Sequence, residues 1–199
     1  MTENTKKPLI GVLAIQGDFS AHAKALAESG AEAIEIRKPE ELANTDALIL
    51  PGGESTTMLK FLDRGNFLDA LKQFGSEKNI FGTCAGAILL AREVLHPPQI
   101  SLGLLDVIVE RNAYGRQIDS SILTAPTELG SEPLEMVFIR APRIVETGPE
   151  VEALARRDGF PVLVRQGRIL AATFHPELST DRRVHQLFVD TVTKNTHSR

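Results

Sequence analysis

A chain of 199 residues suits one compact domain, residues 1–199, that buries roughly 70% of the surface exposed by its unfolded form. Hydrophobic residues make up 42% and charged residues 24%, so the composition predicts a globular protein and excludes extensive disorder. The net charge of -4 comes without a Lys/Arg cluster, so we expect neither nucleic acid nor a membrane as a partner. The single cysteine excludes an internal disulfide, which favours a cytoplasmic location.

The first part of the chain reads as strands separated by a helix. The apolar run "LIGVLAI" predicts a buried strand, because it is too short to span a bilayer and no signal-peptide cleavage pattern follows it. Asp18 is placed to cap a helix from Phe19 to about Ser29, and Gly30 is placed to end it. The segments "AEAIEIR" and "DALILPGGES" predict the second and third strands.

A helical stretch, about Thr56 to Phe74 with a break around Gly65 and Asn66, precedes a fourth predicted strand, "NIFGT". "CAGAILLAREV" follows without a linker and has apolar residues at helical spacing. Strands that alternate with helices form βαβ units. The sequence therefore predicts an α/β fold with a mainly parallel sheet and helices on both faces.

The second half is less regular. "LLDVIVE", "MVFIRA", "FPVLVRQ" and "RILAATF" predict further strands, some of them antiparallel because their connections are too short for crossover helices. Residues 125–133 predict a loop rather than a domain boundary. A last helix, about Thr180 to Lys194, has an apolar stripe that can pack on the sheet. Residues 1–6 and 195–199 are predicted to be flexible tails.

The only cysteine, Cys84, lies in "GTCAG". This GxCxG pattern between a strand and a helix is the context of a nucleophile elbow, in which flanking glycines allow a sharp turn. The alternative is a small apolar side chain that fills the core. A nucleophilic thiol needs a base nearby, because a helix terminus alone stabilises an anion by only about 0.3–1 kcal/mol.

His175 is the best candidate for that base. It follows the strand "RILAATF", and ligands of parallel α/β sheets bind at strand ends. Extended backbone around Pro176 puts His175 and Glu177 on one side, so the carboxylate can orient the imidazole. In this arrangement Cys84 would be the nucleophile, His175 the base and Glu177 the orienting group. Alternatively, His175 and Glu177 only cap the final helix. Structural or solvated roles are expected for the other histidines: His22, His96, His185 and His197.

Acyl transfer also needs hydrogen-bond donors for an oxyanion. The amide of Ala85, at the start of the helix, is one candidate. The amide of Gly52 or Gly53, at the end of the third strand, is another. The paired glycines alternatively form a simple tight turn.

Three motifs, "PGGEST", "GTCAG" and "FHPE", resemble in this order the class I (triad-type) glutamine amidotransferases. That resemblance implies a flavodoxin-like three-layer sandwich. Within the family, "GVLAIQGDF", "LPGGESTTM", "LGLLDVIVERNAYGRQIDS" and "FIRAPRI" resemble the glutaminase subunits of pyridoxal 5'-phosphate synthase. The match runs from about Ile10 to Val192, with "AREVLHPPQI" and "TAPTELGSEPLEM" unmatched.

The resemblance implies hydrolysis of L-glutamine to L-glutamate and ammonia through a thioester on Cys84. His175 would protonate the departing ammonia and then activate water, while Glu177 would orient His175. Charge favours Glu54 for the α-ammonium group and an arginine for the α-carboxylate, without deciding which arginine. Alternatively, the arginines are surface or partner-facing charges. The residues implied in glutamine binding are Gly52, Gly53, Glu54, Arg111, Ile139 and Arg140, with Gly52 and Ala85 in the oxyanion hole.

The resemblance also implies a partner, a synthase subunit that receives the ammonia for pyridoxal 5'-phosphate (vitamin B6) biosynthesis in a large hetero-oligomer. Ammonia released into water is largely protonated and no longer nucleophilic, so we expect a shielded route between the subunits. Gln16 is expected near the contact, and docking is expected to complete the oxyanion hole and activate the glutaminase. Neither a metal nor a cofactor is expected, because the sequence has no ligand cluster or Gly-rich phosphate motif.

Three other functions compete with this interpretation. A Cys-elbow peptidase or stress protein is not expected to combine "PGGEST" with "HPE". A glutaminase for a different ammonia acceptor is disfavoured by the motifs around Arg111 and Arg140. A non-catalytic scaffold subunit is disfavoured by the intact set of Cys84, His175 and Glu177.

Overall fold

The computed structural model describes residues 7–15, 19–64, 66–111 and 121–197. The first half alternates strands and helices as predicted: β1 Leu9–Leu13, α1 Phe19–Glu28, β2 Glu32–Ile36, β3 Ala47–Leu50, α2 Ser55–Leu62, α3 Phe67–Glu77, β4 Asn79–Thr83 and α4 Ala85–Leu90. The rest is mostly strands: β5 Ala91–Leu95, β6 Leu105–Glu110, β7 Ser121–Ala125, β8 Leu134–Phe138, β9 Arg143–Thr147, β10 Glu152–Arg157, β11 Phe160–Gln166, β12 Ile169–Ala172 and the helix α5 Arg183–His197. Two short 3-10 helices span Pro39–Asn44 and Pro176–Leu178.

A seven-stranded sheet in the order β10-β11-β12-β4-β3-β1-β2 forms the centre of the molecule. The strands from β12 to β2 pair in parallel, and β11 pairs antiparallel with both of its neighbours. Strands β5, β6 and β9 form a second sheet, and β7 pairs with β8. The predicted α/β fold, mainly parallel with some antiparallel strands, is confirmed.

Both faces of the central sheet are covered, which explains the continuous apolar runs of its strands. In β3, Leu48 and Leu50 belong to one buried cluster, whereas Ala47 and Ile49 belong to another. The first cluster includes side chains of α2, α3 and α4, and the second includes side chains of α1 and α5. The result is a helix–sheet–helix arrangement in three layers.

The helix predicted from "CAGAILLAREV" is shorter than expected. It ends at Leu90, and β5 begins at Ala91 and pairs in parallel with β6. A register shift between Ala91 and Glu93 accompanies the burial of both Ala91 and Val94. The spacing of these two apolar residues resembles a helix, so the bulged strand produced the wrong prediction of a longer helix.

The break predicted within the stretch from Thr56 to Phe74 lies between α2 and α3. Asn66 adopts a left-handed φ of 63° immediately before α3. Gly65, predicted at the same break, and Asp18, predicted to cap α1, lie outside the described residues.

The last helix begins later and ends later than predicted. Its start is fixed by Asp181, whose Oδ1 accepts a hydrogen bond from the Arg183 amide at 3.1 Å. Its end at His197 reaches into the stretch predicted as a tail, while residues 1–6, 198 and 199 lie outside the described part. Within the described residues, no helix has the length and apolar character needed to cross a bilayer.

Candidate active site

Cys84 occupies the sharp turn between β4 and α4, with φ 47° and ψ -102°. A Cβ atom on Gly82 would lie 2.6 Å from the carbonyl carbon of Gly86. A Cβ atom on Gly86 would lie 1.9 Å from the carbonyl oxygen of Leu50 in β3. Both glycines of GxCxG are therefore required by close backbone contacts, and the turn places Cys84 at the carboxyl end of the parallel strands.

His175 and Glu177 lie beside this turn, because β12 pairs with β4. The Cys84 amide donates to the Ala172 carbonyl at 2.8 Å, which ties the turn to the end of β12. The Cys84 thiol interacts with the His175 imidazole. On the other side of the ring, Nδ1 of His175 donates to Oε1 of Glu177 at 2.8 Å. The structure thus brings together the three side chains that the sequence assigned to nucleophile, base and orienting group.

These contacts control the charges of the group. Burial alone would lower the pKa of His175, but its hydrogen bonds to Cys84 and Glu177 raise this pKa to about 10. Burial alone would raise the pKa of Glu177, but the hydrogen bond from His175 and the nearby His22 hold it below its usual range. At neutral pH the site therefore holds an imidazolium between a carboxylate and the sulfur. The sulfur thus has a cation beside it, the arrangement expected around a nucleophilic cysteine.

The backbone of Gly52 closes the third side of the site. A Cβ atom at Gly52 would lie 2.4 Å from Cε1 of His175 and 3.4 Å from Cβ of Cys84. Any side chain at Gly52 would therefore collide with the imidazole. Gly53 adopts a φ of 139°, which L side chains rarely reach. Ala85, the other predicted oxyanion donor, is the first residue of α4.

A cavity of about 400 Å³ opens in front of Cys84 and His175. It is lined by Gly53, Glu54, Ser55, Cys84, Ile88, Arg111, Ile139, Arg140, Pro142 and His175. Most of these residues were singled out in the sequence; Ser55, Ile88 and Pro142 were missed. Ile88 follows Cys84 by one helical turn, a spacing that could have indicated it.

Glu54 and Arg111 form one wall of the cavity and place opposite charges there. Glu54 caps α2 by accepting hydrogen bonds from the amides of Thr56 at 2.9 Å and Thr57 at 2.8 Å. The Thr57 hydroxyl, together with these amides, lowers the pKa of Glu54 to about 2. Arg111 Nη2 lies 3.8 Å from Oε1 of Glu54 and donates to the Thr56 hydroxyl at 3.1 Å.

Ile139 and Arg140 follow β8 and face the same cavity. The Cys84 thiol lies 3.9 Å from the Ile139 carbonyl oxygen, to which it can donate. Arg140 adopts a left-handed φ of 45°, which turns the chain at the cavity mouth. Gln16, predicted at the partner contact, and residues 112–120 of the motif around Arg111 lie outside the described residues.

His22 and His185 were expected to have structural or solvated roles, and the structure buries both completely. The His185 ring packs against Phe81 with 5.9 Å between centroids, which is a structural role. Nε2 of His22 lies 3.6 Å from Oε2 of Glu177. Sequence reasoning missed this contact, although the position of His22 near the apolar face of α1 was a signal for its burial.

Comparisons with known proteins agree with the motifs. The SNO glutamine amidotransferase family matches residues 12–194. The pyridoxal 5'-phosphate synthase subunit PdxT of Koribacter versatilis is 57% identical, over 92% of this chain and 95% of the relative. The PdxT subunit of Solibacter usitatus is 52% identical, over 90% of this chain and 97% of the relative. A crystal structure of a glutamine amidotransferase superposes with a TM-score of 0.86 at 48% identity, over 92% of this chain and 98% of that one.

Proposed function

Because the chain belongs to the SNO glutamine amidotransferase family, we propose that it is the glutaminase subunit of a pyridoxal 5'-phosphate synthase. It hydrolyses L-glutamine to L-glutamate and ammonia. The observation that carries this proposal is the convergence of Cys84, His175 and Glu177 at one cavity. Relatives named as PdxT subunits of that synthase support the identity of the complex.

In the first half of the reaction, the Cys84 thiolate attacks the side-chain amide carbon of glutamine. The carbon–nitrogen bond breaks, and the departing nitrogen takes a proton from the His175 imidazolium. Ammonia leaves, and a γ-glutamyl thioester remains on Cys84. Glu177 holds Nδ1 of His175, so that Nε2 carries the transferred proton.

In the second half, the neutral imidazole of His175 takes a proton from water. The hydroxide attacks the thioester carbon, the carbon–sulfur bond breaks, and the Cys84 thiolate is restored. The new γ-carboxylic acid of glutamate loses its proton to solvent. Both halves pass through an oxyanion, for which the amides of Gly52 and Ala85 are the donors.

The cavity binds glutamine by complementary charge. Glu54 receives the α-ammonium group, because its carboxylate is held ionised at the cavity wall. The α-carboxylate lies against Arg111 and Arg140, which also line the cavity. The peptide of Ile139 and Arg140 borders the scissile amide, since the Ile139 carbonyl lies beside the sulfur.

The ammonia passes to a synthase subunit that docks over the cavity in a large hetero-oligomer. A shielded transfer keeps ammonia unprotonated and therefore nucleophilic. Gln16 lies close to the docked synthase, and docking moves a peptide near Gly52 and Gly53 into the oxyanion hole. The complex is cytoplasmic, where a lone thiol such as Cys84 stays reduced.

A glutaminase assay on the purified subunit tests this function, with and without the synthase. We expect glutamine hydrolysis in the complex, at least about tenfold slower hydrolysis by the subunit alone, and none by Cys84→Ala in either state. Hydrolysis that persists in Cys84→Ala would disprove the thioester mechanism. Equal rates with and without the synthase would disprove activation by docking.

A further inference from the structure

The two carboxylate oxygens of Glu177 face two different imidazoles. Oε1 accepts a hydrogen bond from His175 at 2.8 Å, and Oε2 lies 3.6 Å from Nε2 of His22. His22 belongs to α1, is completely buried and does not line the cavity. It can therefore influence the reaction only indirectly, and Glu177 is the member of the group of Cys84, His175 and Glu177 that it faces.

The neighbours of His22 determine where its protons lie. Nε2 faces oxygen atoms, Oε2 of Glu177 and the Thr83 hydroxyl at 3.4 Å, and a carboxylate oxygen can only accept. A proton on Nε2 makes this contact attractive. Nδ1 lies 3.2 Å from Nε2 of His185, a buried side chain of α5. In neutral His22, Nδ1 accepts a hydrogen bond from His185; in protonated His22, it donates one.

We propose that His22 is a positioning residue for the glutaminase reaction, whose Nε2–H holds the second oxygen of Glu177 while His185 holds His22. This inference rests on the proposed function. It assigns a task to two histidines on two helices that pack behind the reacting groups. In this arrangement α1 and α5 both contribute to the orientation of His175, although neither reaches the substrate.

The reaction cycle shows why a second contact is useful. When His175 gives its proton to ammonia, Glu177 loses the cation beside its Oε1. A buried carboxylate without a charged partner or donor is unstable and tends to take up a proton. The Nε2–H of His22 keeps Glu177 ionised at this stage and prevents rotation of the carboxylate. Oε1 then remains aligned with His175, which must next accept a proton from water.

Other charged groups lie near His22 and His185. Arg182, at the approach to α5, forms an ion pair with Glu28 of α1. Burial, together with the charges of His22 and Arg182, lowers the pKa of His185 well below its usual value, so His185 stays neutral. The titratable groups that face Glu177 are accordingly His22 and His175.

The test replaces His22 in the complex with the synthase and follows kcat, KM and their pH dependence. In His22→Leu we expect kcat to fall about tenfold, because Glu177 loses the donor that faces its second oxygen, with KM for glutamine unchanged. Loss of the donor makes Glu177 easier to protonate. The acidic limb of the kcat profile should therefore move upward by about half to one pH unit. In His22→Gln the side-chain amide supplies a donor near the position of Nε2. The acidic limb of the kcat profile should therefore return to its position in the wild type.

Leu26→Ala is the matched control, because Leu26 is completely buried one turn further along α1. It lowers the thermal stability without touching Glu177, so the pH limb should stay in place. The inference is overturned if His22→Leu keeps the kcat and the acidic limb of the wild type. It is also overturned if Leu26→Ala shifts the acidic limb as much as His22→Leu does.

Nitrogen-15 NMR of the imidazoles in the wild-type protein tests the inference without any variant. It must find a proton on Nε2 of His22; an unprotonated Nε2 overturns the inference even if the variants fail to fold. This measurement needs no turnover. If the wild-type complex has no glutaminase activity, the proposed function is refuted. The NMR experiment still shows whether Nε2 of His22 carries a proton.

Discussion

The Cys84 side chain is only 6% exposed, which is typical of a cysteine that fills the core. Its backbone φ of 47° is instead typical of a nucleophile elbow. The side chains around it favour the second description. His175 interacts with the thiol and is hydrogen-bonded to Glu177, and its pKa is raised to about 10. A core cysteine has no need for a charged partner, because a buried charge is costly unless another interaction stabilises it.

Glu177→Gln tests the electrostatic part of this interpretation. The variant loses the carboxylate that raises the pKa of His175, while burial still lowers that pKa. The imidazolium, retained up to about pH 10 in the wild type, is then lost at a lower pH. We expect alkylation of Cys84 by iodoacetamide at pH 7.5 (about the middle of the physiological range) to slow by about tenfold, and kcat to fall about 10²-fold.

Glu152→Gln is the control for that experiment, since Glu152 pairs with Arg165 on the exposed side of β10. It removes the same charge from the protein without contacting the site. An equal loss of alkylation in both variants would show that net charge, not the contact with His175, controls the thiol.

Gly52→Ala tests the steric part. The added methyl group would lie 2.4 Å from Cε1 of His175, so the ring must move away from Cys84. We expect kcat/KM to fall at least about 10²-fold. Gly159→Ala is the control, because Gly159 has a φ of 82° and open space around its Cα. It should cost about 1 kcal/mol of stability and leave the kinetics intact; similar kinetic losses in both would contradict the steric explanation.

At the scale of elements, α2 links stability with binding through one residue. The carboxylate of Glu54 accepts hydrogen bonds from the first amides of this helix and faces the cavity with the same group. In the proposed function, the N-terminus of α2 and the ammonium group of glutamine would share the Glu54 carboxylate. Helix α2 follows β3 closely, with Gly52 and Gly53 between the end of β3 and the capping residue Glu54.

Glu54→Ala should therefore have two effects. Loss of the cap costs about 1 kcal/mol, measured as a lower free energy of unfolding at pH 7. Because the folded pKa of Glu54 is about 2 and its ordinary value is 4.5, this stabilisation is complete above pH 4.5 and vanishes as the pH falls toward 2. The second effect is a rise in KM for glutamine, larger than any fall in kcat.

The matched control is Glu41→Ala, since Glu41 accepts hydrogen bonds from the amides of Arg37 and Lys38 far from the cavity. It should lower stability and leave KM unchanged. A rise of KM in Glu41→Ala, or none in Glu54→Ala, would refute a role of Glu54 in binding the ammonium group.

At the scale of the whole molecule, the two buried clusters share one central sheet, and we propose that the chain folds as a single domain. The site lies at the carboxyl ends of β3, β4 and β12, three adjacent strands. Each contributes one part: the glycine pair, the cysteine turn and the histidine with its carboxylate. Only the parallel order of these strands brings the parts to one edge.

An isotope experiment on the complex tests the transfer of ammonia between subunits. Glutamine labelled with nitrogen-15 in its amide is supplied together with excess unlabelled ammonium. A shielded route predicts product nitrogen mostly from glutamine in the wild type, and only from ammonium when Cys84→Ala replaces it. Complete dilution of the label in the wild type would show that ammonia escapes into the solvent.

Much of this protein was predictable from the sequence. Local rules sufficed for the strand–helix alternation and for the sharp turn at "GTCAG". The contact between His175 and Glu177 was predicted for the wrong reason, because Pro176–Leu178 form a 3-10 helix and not extended backbone. The motif order indicated the glutamine amidotransferases, and the family match confirms that assignment. Local rules failed at β5, where a bulge imitates helical spacing.

The sequence by itself determined which groups are available: one thiol, a histidine beside a carboxylate, and glycines where backbone must pass closely. Tertiary structure alone decided that Cys84 meets His175, that Gly52 touches both, and that His22 and His185 lie behind Glu177. These residues are distant along the chain, so their contacts depend on which strands become neighbours and which helix faces turn inward. Hydrophobic burial sets that arrangement over the whole fold, and no short stretch of sequence encodes it.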